Sequence, residues 1–247
     1  MDALETWTRS EHTADVNGSP TTHPVWRKGS GPGVVVVHEM PGLTTGVIDF
    51  AEELVAAGHT VLLPHLFGPV GRPFGAGDVL RTLPRVCISR ELTVLRTGVT
   101  TPVAGWLRSL ARELHAELGG PGVGALGMCF TGGFALAMMV DDAVAAPVVA
   151  QPSVPFAIGH ERSADLNLSP ADTEAVRRRA AAGCSVLGVR YGSDPATGTR
   201  FDTLSALLGD GFVRIDLPGK GHSTLTEQRS QVAVDAVLAF FRERLRA

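Results

Sequence analysis

The sequence predicts an α/β fold in which a mostly parallel central sheet carries helices on both faces. Short β-branched or apolar runs alternate with amphipathic stretches along the chain, the rhythm of strand–helix units in a parallel sheet. The runs show little period-two alternation, as strands covered on both sides do. No linker-like stretch or internal repeat interrupts the series, so residues 1–247 read as a single domain.

Residues 1–30 stand outside the rhythm and are expected to form an N-terminal arm or edge strands. Gly33-Val34-Val35-Val36-Val37-His38 reads as a buried strand. Val47, Phe50, Ala51, Leu54 and Val55 follow at helical spacing, stopped by Gly58. Residues 59–63 form the next strand, ended by Pro64. Residues from about 66 to 100 are rich in Gly, Pro and Arg and read as an excursion over the top of the sheet. Pro102 suits the first turn of a helix through Trp106, Leu107, Leu110 and Leu114, ending at Gly119-Gly120. Residues 123–128 are a strand and 130–140 a helix of small and apolar residues. Residues 143–150 and 184–191 are further strands, separated by an irregular segment and a polar helix at about 172–182. The last strand is 212–217, and a closing helix carries Val234, Val237, Leu238, Phe241 and Leu245 on one face.

Hydrophobic residues make up 44% of the chain and charged ones 19%, which supports a sizeable core and argues against disorder. The formal net charge of −3, with both signs interleaved, gives no reason to expect nucleic acid or an anionic membrane as partner. Three cysteines, Cys87, Cys129 and Cys184, without CxxC spacing argue against a disulfide framework and a zinc site. The eight histidines show no paired ligand spacing, so neither metal nor organic cofactor is expected. The acidic first residues lack the apolar core of a secretory signal, and no apolar run reaches the ~18 residues of a spanning helix. The expectation is a cytoplasmic monomer or homodimer acting on a small molecule.

The strongest local signal is Gly127-Met128-Cys129-Phe130-Thr131-Gly132-Gly133, between a predicted strand and a predicted helix. It has the form of a nucleophile elbow, in which a tight strand-to-helix turn strains and exposes its central residue. The helix N-terminus there favours a thiolate. The third motif position is Thr131 rather than glycine, a looser match, with room restored by Gly132 and Gly133. A buried structural cysteine is the bland alternative. The order of downstream residues weighs against it, because an α/β hydrolase presents nucleophile, acid and histidine in that sequence. Asp194 follows the 184–191 strand, and His222 lies in the Gly219-Lys220-Gly221 turn after the last strand. Asp202, in a helix, and Asp216, within a strand, are weaker candidates for the acid.

These residues resemble the dienelactone hydrolases. The resemblance covers most of the chain from Val34 onward. It rests on Val36-Val37-His38-Glu39-Met40-Pro41-Gly42, Pro64-His65-Leu66-Phe67-Gly68, the cysteine elbow, and the turns bearing Asp194 and His222. It implies that Glu39 sits beside Cys129 and takes part in activating it. It also implies an oxyanion hole from the N–H groups of Met40 and Phe130, the second of which follows from general physics as well. Departures concern the pocket. Where the family has an arginine four residues after the catalytic histidine that helps hold the substrate carboxylate, this chain has Thr226, with Arg229 downstream. A second family arginine, from the excursion, is matched to Arg90 as a substrate-binding residue, with Arg96 behind it. His65 replaces a family aspartate, and residues 150–182 are longer than the family's usual.

The expected chemistry is hydrolysis of a carboxylic ester through a Cys129–His222–Asp194 triad and a thioester intermediate. A thiolate leaves easily, so the tetrahedral intermediate goes forward only with a still better leaving group, which favours enol lactones and aryl esters over amides. Thioesterase or acyl transferase chemistry on the same triad is one alternative. A non-catalytic protein that binds a small hydrophobic ligand, or senses redox through Cys129, is another.

Overall fold

The computed structural model describes residues 3–246. An eight-stranded sheet forms its centre, in the order β1-β2-β5-β3-β7-β8-β9-β10. The parallel strands are β3 (Gly33–Val37), β5 (Thr60–Pro64), β7 (Val123–Met128), β8 (Val144–Ala150), β9 (Val186–Tyr191) and β10 (Phe212–Leu217). The N-terminal residues supply β1 (Thr8–Val16) and β2 (Ser19–Lys28), an antiparallel hairpin that pairs antiparallel with β5 at one edge. The fully buried Trp106 ties that hairpin down, because its indole N–H reaches the carbonyls of both His12 and Thr21.

The valines of β3 are fully buried because both faces of the sheet are covered. One face packs on α1 (Thr45–Ala56) and α8 (Gln231–Arg244) through Phe50, Leu54, Val237 and Phe241. The other packs on α3 (Val103–Leu118), α4 (Gly132–Met138), α6 (Pro170–Ala181) and α7 (Arg200–Leu208). The helices begin as their sequences prescribe: the Thr44 hydroxyl accepts from the Val47 N–H, and Ser169 caps α6 by accepting from the Asp172 N–H.

The excursion is more regular than its composition predicts. It pairs β6 (Val70–Arg72) with β4 (Leu43–Thr44) as a small parallel sheet, then forms α2 (Ala76–Cys87). Pro84 lies inside α2, and a proline within a helical pattern ordinarily argues for its end, which is why the sequence hides this helix. A short α5 (Gly159–Ala164) lies in the segment after β8. Strand order reverses between β3 and β7, and a crevice opens beyond the carboxyl ends of strands at such a reversal. Glu39 and Cys129 stand just past those two ends.

Candidate active site

Cys129 directly follows β7 and has φ of +51°, a left-handed conformation that costs a non-glycine residue about 1–3 kcal/mol and persists only where the surroundings impose it. The surroundings are tight: a Cβ added at Gly127 would lie 2.2 Å from the Thr131 carbonyl oxygen, so only glycine permits the turn. Thr131 makes a contact that a glycine could not. Its hydroxyl accepts from the Met128 N–H at 3.1 Å and lies 2.9 Å from the Val37 carbonyl oxygen and 3.1 Å from that of His38. The end of β3 is thereby fastened to the elbow. The Cys129 Sγ lies 3.4 Å from the hydroxyl of Ser153, whose N–H donates to the Cys129 carbonyl. Ser153 carries no motif, and nothing in the sequence singles it out.

The two remaining triad candidates meet. His222 Nδ1 is 2.8 Å from Asp194 Oδ2, and the Asp194 side chain is only 2% exposed. Its carboxylate also accepts from the Ala196 N–H at 2.9 Å and the Thr197 hydroxyl at 2.6 Å. Burial alone would raise the Asp194 pKa, but His222 and these donors outweigh it and hold it below the usual range. Burial likewise opposes the charge on His222, yet Asp194 and the Cys129 thiol push it up to about 11, so at neutral pH the ring is an imidazolium. The turn that carries His222 approaches Tyr191 so closely that a Cβ at Gly221 would sit 2.5 Å from the ring. Gln228 accepts from the His222 N–H through its side chain and from the Tyr191 hydroxyl through its carbonyl. The other acids are committed elsewhere: Asp202 pairs with Arg214, and Asp216 with Arg190 and Arg214.

Glu39 is buried, only 3% exposed. Its carboxylate accepts from the hydroxyls of Ser223 and Thr226. Burial pushes its pKa up, only partly offset by Thr226, His222 and Ser223. A raised carboxyl pKa means that stability is lost as pH climbs from the ordinary glutamate range through the folded value, because the unfolded chain ionises first. Glu39→Gln is therefore expected to melt higher than wild type at about pH 8, with the gain vanishing near about pH 4. Activity should fall by less than the ~100-fold typical of a primary general base. Equal melting shifts at both pH values would count against a buried, ionisable Glu39. The neighbouring His38 is fully buried, and desolvation lowers its pKa to about 3. It is neutral, accepting from the Leu66 N–H at Nε2 and donating to the Glu39 carbonyl from Nδ1.

Cys129 and His222 open into a cavity of about 270 Å³ with Ser153 at its side. Its walls are otherwise apolar, formed by Met40, Phe130 and Phe156 and by Val79 and Leu83 of α2. The Met40 N–H has no acceptor among the described residues. No group of three or more His, Cys, Asp or Glu among the described residues could hold a metal ion, and no helix is long and apolar enough to cross a membrane.

The profile of the dienelactone hydrolase family matches residues 21–168. The chain belongs to that family. Membership makes it a hydrolase acting on esters. No curated protein matches its sequence. Among solved structures, a cold-adapted esterase from an Arctic intertidal metagenomic library superposes with a TM-score of 0.62 at 17% identity, over 98% of this chain and 96% of that one. A dienelactone hydrolase-like promiscuous phosphotriesterase from metagenomic libraries gives a TM-score of 0.61 at 18% identity, over 96% and 99%. The thioesterase domain from the curacin biosynthetic pathway gives 0.56 at 11%, over 96% and 99%. At these identities the likeness is one of fold, that of the α/β hydrolases.

Against the dienelactone hydrolases, this chain departs at the expected arginine positions. Thr226, in the place of the first, is bonded to Glu39. Arg90 corrects the sequence reading: it is exposed, it does not line the Cys129 cavity, and its carbonyl accepts from Asn17 in the β1–β2 turn. Arg96 is exposed and outside the cavity as well, and Arg229 pairs with Glu53. The strand-end position that carries His65 instead of aspartate is closed by a local bond from its Nε2 to the Gly68 carbonyl.

Proposed function

We propose that this dienelactone hydrolase relative cleaves activated carboxylic esters or lactones by covalent catalysis. Cys129 is the nucleophile, His222 the proton carrier and Asp194 its orienting acid. The single observation that carries the reading is the strained thiol opening into the same cavity as a histidine whose far nitrogen is held 2.8 Å from a buried aspartate. The Cys129 thiolate adds to the carbonyl, forming the C–S bond, and the N–H groups of Met40 and Phe130 receive the oxyanion. Collapse breaks the bond to the leaving oxygen, which takes its proton from the His222 imidazolium. Neutral His222 then removes a proton from water, the hydroxide adds to the thioester, and the thiolate leaves as the acid forms. Asp194 keeps Nδ1 protonated throughout, so Nε2 carries the exchanging proton. Glu39, fixed by Ser223 and Thr226, faces His222 as a second acidic group and shapes the field around the ring rather than relaying the proton.

The test is direct detection of the acyl-enzyme. With para-nitrophenyl acetate, rapid acid quench and peptide mass spectrometry should find one acetyl group on the Cys129 peptide during turnover. Full hydrolysis by Cys129→Ala, with no adduct in wild type, would sink the proposal.

A further inference from the structure

The arginines of α2 face away from the Cys129 cavity, and Arg90 and Arg96, further along the excursion, do not line it either. The helix turns Val79 and Leu83 toward the Cys129 cavity. It turns Arg81 and Arg85 toward a separate groove of about 520 Å³, which they line with Arg72. Among the residues lining the Cys129 cavity, His222 is the only basic one, and its imidazolium is already engaged by Asp194 and the thiol. Glu39, a buried acid hydrogen-bonded only by the Ser223 and Thr226 hydroxyls, lies beside that ring. A carboxylate entering this cavity would shed its water without gaining a counter-ion, a transfer that costs several kcal/mol for an unpaired charge.

From this juxtaposition of an apolar cavity, a buried acid beside its one basic group and outward-facing arginines, we infer that the substrate's acyl arm is uncharged and apolar. The family resemblance implied a carboxylate instead. The inference rests on the proposed ester hydrolysis at Cys129. Met40, Phe130 and Phe156 offer the arm flat and flexible apolar walls.

The experiment compares para-nitrophenyl hemiadipate with a neutral ester of the same length in which an isopropyl group replaces the carboxylate, each corrected for the rate without enzyme. Wild type should favour the neutral ester by about 100-fold or more in kcat/KM. Leu83→Arg, which sets a cation in the cavity wall, should narrow that ratio at least about tenfold, whereas Arg90→Ala should leave it unchanged. Use of the two esters within about threefold of each other, or a selective loss of hemiadipate turnover in Arg90→Ala, would overturn the inference. The two readings fail separately. Turnover of the neutral ester that survives Cys129→Ala removes the nucleophile assignment, while a strong neutral preference still supports the substrate class.

Discussion

Replacing His222 with alanine is expected to lower kcat/KM for an activated aryl ester by about 10⁴-fold, close to the loss in Cys129→Ala, with the double variant no worse than either. Residues acting as one unit lose their function together, so near-complete non-additivity is the signature of a working pair. The elevation of His222 to about 11 adds a second readout. Its sign is that of a cation kept by its partners: the ring stays protonated at neutral pH and places a positive charge beside the sulfur. Iodoacetamide should accordingly alkylate Cys129 at about pH 6 at least tenfold faster in wild type than in His222→Ala. Additive losses, or equal alkylation rates, would dissolve the pair. Asp194→Asn should fall between, because the ring loses its orientation while keeping its place.

The second large effect concerns a residue far less conspicuous than Cys129, Asp194 or His222. Arg200, fully buried at the start of α7, satisfies its guanidinium with backbone carbonyls: Asp165 through Nε, Ala196 and Thr197 through Nη1, and Pro155 and Arg162 through Nη2. Five donors meet five acceptors, the full capacity of the group. Burial lowers its pKa to about 10, with Asp165 and Asp194 supporting the charge, so it remains a cation. Ala196 and Thr197 are the residues that donate to the Asp194 carboxylate. The carbonyl network therefore positions the acid loop and joins it to the segment that carries Phe156. Arg200→Met would strand these carbonyls in a dry interior, where each unsatisfied group costs about 1–3 kcal/mol. After partial relaxation a total of about 3–5 kcal/mol is expected, or a fall in Tm of roughly 6–20 °C for a chain of this size. Arg214→Met, which breaks partly exposed pairs with Asp202 and Asp216 and a long contact to Ser205, should cost about 1 kcal/mol or less. If the two variants melt alike, Arg200 does not hold the loop.

The parallel strands were legible because both of their faces are buried, which leaves uninterrupted valine-rich runs such as 33–37. Cys129, Asp194 and His222 were legible for a related reason: each follows such a strand, and a parallel sheet brings the ends of its strands to one edge. The β1–β2 hairpin was legible only as an arm or edge strands, without its bounds, because its strands are mostly exposed or half-buried and carry no apolar period. α2 was masked by Pro84 and by the glycines at its start. Arg200 was invisible because an arginine opening a helix reads as solvated, and its carbonyl partners have no signature in sequence. The resemblance placed Arg90 within the excursion but could not fix which way it faces, and it does not line the Cys129 cavity.

The Thr131 hydroxyl has a mechanical consequence. By bridging the elbow to the carbonyls of Val37 and His38, it ties Cys129 to the end of the strand that leads into Met40. A glycine at position 131 would remove that tie, and the spacing between the sulfur and the Met40 N–H would rest on the backbone alone.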